Sequence, residues 1–98
     1  MMRIVRRVPE RMTIEEFAEK HDLVMEVVRR KGGNYYAHFQ RAEVKDGSIL
    51  IGTSGEGLTE DEAISNYATE ISDKLLVIGA YTKERREIWA PQLDGRAA

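Results

Sequence analysis

Two periods of hydrophobic residues run along this chain. Ile14, Phe17, Ala18 and His21 fall at i, i+3, i+4 and i+7, one face of a helix, while Glu15, Glu16, Glu19, Lys20 and Asp22 take the other. Thr13-Ile14-Glu15-Glu16 opens that stretch as a capping box, in which the threonine hydroxyl and the glutamate carboxylate each serve the other's backbone amide. The pattern predicts a helix over about 13–21, acidic at its positive dipole end. Ala63, Ile64, Tyr67, Ala68, Ile71 and Leu75 form a second helical stripe, entered through Thr59-Glu60-Asp61-Glu62, a second capping box. A helix over about 60–73 is expected there.

Between the helices the period shortens to two. Leu23 to Val28 is short and β-branched, which favours a strand. Arg29 to Asn34 carries the glycines of a turn. From Tyr35 to Val44 the chain alternates, with Tyr35, Ala37 and Phe39 on one side and Tyr36, His38 and Gln40 on the other, as in a half-buried strand. Lys45-Asp46-Gly47-Ser48 gives a hairpin turn, and Ser48 to Thr53 returns. Three consecutive antiparallel strands follow from this reading. Leu75 to Ala80 either continues the second helix or forms a short extended segment; its β-branched content and Gly79 favour the second. Arg86 to Pro91 reads as an edge strand stopped by the proline, and Gln92 to Ala98 as a frayed tail. The fold class expected is α+β: a single domain at 13–92 with the order helix, three-stranded antiparallel sheet, helix, and a short C-terminal edge strand. Residues 1–12 form a basic lead-in and 93–98 a tail.

Ninety-eight residues suit one domain. The absence of cysteine excludes a disulfide framework, a thiolate zinc site and a cysteine nucleophile, and fits a reducing compartment. The longest apolar run, Leu75 to Ala80, is too short to span a membrane, and no sustained apolar segment follows the basic N-terminus, so no secretory signal is read. A cytoplasmic protein with no membrane partner is expected. The net charge of −2 is unevenly placed. Four arginines against one glutamate put residues 1–12 at +3, which leaves −5 for the rest. An acidic body repels nucleic acid at long range, although the basic lead-in attracts it locally.

Little in the sequence asks for catalysis. His21 and His38 lack metal-ligand spacing, and His38, on the polar face of its strand, is the one candidate general base. No carboxylate sits in an apolar context that would suit it to acid work, and Ser48, Ser54, Ser65 and Ser72 have no triad pattern. Gly52-Thr53-Ser54-Gly55-Glu56-Gly57 before a helix has the outline of an anion-binding loop, but Glu56, Glu60, Asp61 and Glu62 would repel phosphate. No enzyme, metal or cofactor is expected. The candidate protein-binding residues are Tyr36, His38 and Gln40 on the outer strand face, the carboxylates Glu56, Glu60, Asp61 and Glu62 as phosphate mimics, and Trp89 on its edge strand. The alternative is nucleic-acid binding by Arg3, Arg6 and Arg7 together with two basic loop clusters, Arg29, Arg30 and Lys31, and Lys83, Arg85 and Arg86. Both loops are expected at one end of the sheet, with Tyr35 and Tyr36 for base stacking. An unpaired edge strand also leaves room for a homodimer.

Three resemblances bear on function. The order helix, three strands, helix, over about 13–75, resembles the double-stranded-RNA-binding domain. That family grips phosphates with a lysine cluster at the start of its second helix, where this chain has Glu60, Asp61 and Glu62, so the binding mode does not carry over. Gly55-Glu56-Gly57-Leu58-Thr59-Glu60-Asp61-Glu62-Ala63-Ile64-Ser65-Asn66, with Ile88-Trp89-Ala90-Pro91, resembles the HicB-type antitoxin family over about 24–92. It implies a stand-alone domain that neutralises an RNase toxin, with the helix at 13–21 added and without the family's DNA-binding segment. Thr13-Ile14-Glu15-Glu16-Phe17-Ala18 and Arg85-Arg86-Glu87-Ile88-Trp89-Ala90-Pro91 make the chain similar to short proteins of tailed phages and prophages, which implies an accessory or anti-defence role.

Overall fold

Thr13 fixes where the first helix begins. In the computed structural model, which describes residues 1–5 and 11–96, its hydroxyl accepts from the Glu16 amide at 3.1 Å while its own amide donates to the Glu16 carboxylate at 3.2 Å. Both halves of the capping box are therefore present. Strand β1 (Arg11–Thr13) leads directly into helix α1 (Ile14–His21), which buries Ile14 and Phe17 and ends at Asp22 in the left-handed region. Strands β2 (Met25–Arg29) and β3 (Tyr35–Phe39) then pair antiparallel, Val27 opposite Ala37 and Glu26 opposite His38. The alternation is as expected: Ala37 and Phe39 are fully buried, and Tyr36 and His38 face the other way.

The single strand expected over 35–44 is two strands. Gln40 and Arg41 form a turn, with Arg41 at φ 58, which no extended run tolerates. Strand β4 (Ala42–Asp46) emerges in a different sheet and makes the expected hairpin with β5 (Ile49–Ile51) through Gly47, at φ 61. The second neighbour of β3 is β6 (Gly55–Gly57), a strand where a glycine loop was expected. Helix α2 (Glu60–Ile71) follows, capped by the Thr59 hydroxyl, which accepts from the Glu62 amide at 3.1 Å. It ends two residues short of the expected 73, because Ser72 is extended.

Strand β7 (Leu75–Ile78) takes the extended alternative for that segment, and β8 (Arg86–Trp89) lies at a sheet margin as expected. The C-terminal stretch departs from a frayed tail: β9 (Gln92–Asp94) pairs in parallel with β1, and Leu93 is buried. The ordered elements thus reach beyond the expected 13–92 at both ends. Three small sheets replace the expected three-stranded one, in the orders β2-β3-β6, β5-β4-β7-β8 and β1-β9. The chain is α+β, with two helices and mainly antiparallel pairing among the described residues.

One cluster of buried side chains, with Phe17, Phe39, Tyr67, Ile71 and Leu76 among its members, joins both helices to all three sheets. Phe39 meets the Tyr67 ring edge-on at 5.4 Å between centroids. Among the described residues no helix is long and apolar enough to cross a membrane.

Candidate functional site

The period of two in β3 and β6 decides which side chains leave the core. Gly55 and Gly57 of β6 lie against α2, so closely that a Cβ on Gly55 would overlap backbone atoms of Tyr67 and Ala63. Glu56, between them, therefore points to the opposite face of the sheet. It pairs in register with Tyr36, which in turn lies opposite Val28. His38 lies opposite Glu26 on the same face. The outer face of β2-β3-β6 thus carries Glu26, Val28, Tyr36, His38 and Glu56.

Arg30, one residue past β2, folds back over this face. Its guanidinium carbon sits 4.6 Å from the centroid of the Tyr36 ring, and Nη2 is 2.9 Å from Glu56 Oε1. The guanidinium is therefore held by a cation–π contact and an ion pair at once. Its backbone is fixed too: the Arg30 amide donates to the Asn34 carbonyl at 2.6 Å, and the Gly33 amide donates to the Arg30 carbonyl at 2.9 Å. The backbone of Glu56 is anchored from the core side, where the Asn66 side-chain amide of α2 donates to its carbonyl. The Tyr36 and His38 rings are nearly parallel, 12° apart, with centroids at 6.1 Å. His38 Nδ1 lies 3.1 Å from the Phe39 carbonyl oxygen, which accepts. Beyond His38 the face runs into a shallow depression of ≈ 350 Å³ bordered by Arg41, Glu43, Thr53 and Ser54.

The other expected site residues are scattered. Gln40 lies in the turn after β3, with its backbone amide donating to the Val24 carbonyl at 2.8 Å. Trp89 is 71% exposed at the end of β8, opposite Leu75, in another sheet. Glu60, Asp61 and Glu62 occupy the first turn of α2, on the far side of β6 from Glu56. Asp61 is paired with Arg96 at 3.3 Å, and Arg96 also reaches Glu15 at 2.9 Å. The four carboxylates therefore do not form one patch.

The two basic loops are not at one end of the sheet. Arg29 to Lys31 sit at the β2–β3 hairpin, whereas Arg86 donates to the Asp22 carbonyl at 3.5 Å, before β2 begins. Arg85 is paired with Glu87. Tyr35 packs against the core, so it shares no stacking surface with Tyr36. Arg3 is exposed, and Arg6 and Arg7 lie outside the described residues. His21 packs against Phe17, 4.7 Å between ring centroids.

Shifted protonation follows the pairings that join the strands. The hydrogen bond from Arg11 holds Asp94 below its ordinary value and raises Arg11 in return. Lys45 does the same to Glu87, with a smaller contribution from Arg85. Burial pushes the Tyr67 hydroxyl up, against a backbone hydrogen bond with Phe39. Among the described residues no group of three His, Cys, Asp or Glu side chains is placed to hold a metal ion.

Sequence reasoning missed the partnership of Arg30 with Glu56, because it depends on β6 lying beside β3. Arg96, which joins the first turns of both helices, was read as part of a tail and gave no signal. Gly55 and Asn66 were visible as residues of a HicB-like helix entry, but their roles as a close-packing position and a backbone anchor were not. No protein-family model matches the chain, and no curated protein or solved structure is significantly similar to it.

Proposed function

We propose that this protein is a non-enzymatic binding module whose outer β2-β3-β6 face engages a protein partner. The observation that carries this is the clamped Arg30, held over Tyr36 and paired with Glu56 on an open sheet face. Arginine and tyrosine are the side chains that most often dominate interface energy. A guanidinium already fixed in place loses less freedom when a partner arrives. The face mixes both charges, Glu26 and Glu56 with Arg30, which complements another protein's surface better than a polyanion. Phosphate mimicry is less well supported, since Glu56 and Asp61 are each committed to an arginine and lie on opposite faces.

The HicB-type and phage-protein resemblances point the same way. The first gives the reading its most specific form, a stand-alone antitoxin-like domain acting on an RNase toxin. The second gives the broader one, an accessory or anti-defence factor in the host cytoplasm. The test is affinity capture of the tagged protein from lysate of its natural host, with nuclease treatment. A protein partner that survives nuclease, and that Arg30→Ala or Tyr36→Ala binds about tenfold more weakly or worse, is the expected result. Recovery of nucleic acid alone would overturn the reading, and so would a partner indifferent to both substitutions.

A further inference from the structure

Strand β5 is one margin of the sheet β5-β4-β7-β8 and, among the described residues, pairs on one side only, Ile51 with Val44, Leu50 with Lys45 and Ile49 with Asp46. A free sheet edge in a monomer is ordinarily guarded by charge, proline or a bulge. The opposite margin, β8, carries Arg86 and Glu87, and the margin β2 carries Glu26 and Arg29. The β5 margin carries nothing of the kind. From Gly47 to Gly55 the sequence Gly-Ser-Ile-Leu-Ile-Gly-Thr-Ser-Gly has no charged residue, in a chain that is 33% charged. Ile49 and Ile51 share a face with the buried Val44 yet are 63% and 44% exposed.

The margin is also symmetric about its centre. Ile49-Leu50-Ile51 reads the same in both directions, so a second copy laid antiparallel with the two Leu50 residues facing each other puts Ile49 of each copy opposite Ile51 of the other. That is the geometry of a two-fold, self-complementary contact. Beside Ile51 lies a depression of ≈ 520 Å³ with an apolar wall of Val44, Leu75 and Trp89 and a charged rim that includes Asp46, Asp73 and Lys74. The Ile49 side chain of the second copy would fall next to it, beside Ile51 at the apolar wall. We infer that β5 is the seam of a homodimer, in which two four-stranded sheets join edge to edge through the charge-free strand Ile49–Ile51, centred on Leu50. An extended peptide from another protein would satisfy the same backbone groups, but it would leave the isolated chain monomeric in solution.

Sedimentation of the full chain over a wide concentration range tests this, independently of the Arg30 face. The wild type is expected to pass from monomer to dimer. Ile49→Lys and Ile51→Glu should each weaken the dimer at least tenfold, while each monomer keeps its far-ultraviolet circular dichroism, since both side chains project from a margin. The combined variant I49K/I51E should regain the dimer, because the antiparallel register sets each new cation against a new anion across the seam. A wild type that stays monomeric throughout would overturn the inference. So would a dimer indifferent to Ile49→Lys, or a combined variant no more dimeric than the single ones.

Discussion

Ser72 and Gly55 show how single atoms hold this molecule together. The Ser72 hydroxyl donates to the Ala68 carbonyl at 2.7 Å and accepts from the Leu93 amide at 2.9 Å, so one oxygen joins the end of α2 to β9. Ser72→Ala leaves the Leu93 amide without that partner in a half-buried setting and should cost about 1–2 kcal/mol in urea unfolding. Gly55→Ala should be worse, by about 3 kcal/mol or more, because the added methyl meets helix backbone and not a movable side chain. A loss near zero would show that α2 can lift from β6. Neither role was legible. The Ser72 hydroxyl serves an amide 21 residues away, and the close approach at Gly55 appears only once β6 is laid against α2. Thr13 was legible in full, since its partner Glu16 is three residues away. At the candidate site the outward set of Tyr36 and His38 was legible from alternation, but the clamp on Arg30 was not.

Between elements, two ion pairs respond to pH. Arg11 and Asp94 join β1 to β9, and Lys45 and Glu87 join β4 to β8 across β7. Both carboxyl groups titrate below their ordinary values in the native state. Their stabilisation is therefore complete above the ordinary carboxylate range of about 4, and is lost as pH falls through it toward the lower native values. Thermal melts at decreasing pH should show the midpoint falling over that interval, with a shallower fall in Asp94→Asn. If the variant falls as steeply as the wild type, the pair contributes nothing to the acid response. On the alkaline side the sign reverses. Tyr67 keeps its proton when folded but loses it near about 10 when unfolded, so stability should drop as pH rises past that value. The elements also divide by how local their causes are. Helices α1 and α2 were readable from spacing and their threonine caps, with the full capping box at α1 and the Thr59 half of it at α2. Strands β6 and β9, Gly-Glu-Gly and Gln-Leu-Asp, have no strand composition and exist because β3 and β1 lie beside them. The break between β3 and β4 depends on Arg41 at positive φ, and the pair Gln-Arg gives no warning of it.

For the whole molecule, charge balance separates the protein-binding reading from its nucleic-acid alternative. A face with both signs, on a chain of net charge −2, should bind its partner with an affinity that changes less than about tenfold between low and physiological salt. Six to ten phosphate contacts would instead lose about three to five orders of magnitude. A salt titration of the captured complex reads this directly, and a slope of the phosphate kind would favour the basic loops. The α+β class and the two helices were legible at this scale. The three-sheet layout was not, because the pairing of β4 with β7 and of β1 with β9 joins segments that no local pattern relates. The last of these pairings also has a bearing on synthesis. Arg11 and Asp94 stand 83 residues apart in sequence, so β1 leaves the ribosome well before β9 and must wait, without that partner, until the residues between them have followed. Met12 gains its register partner Leu93, and the parallel seam closes, only when β9 arrives.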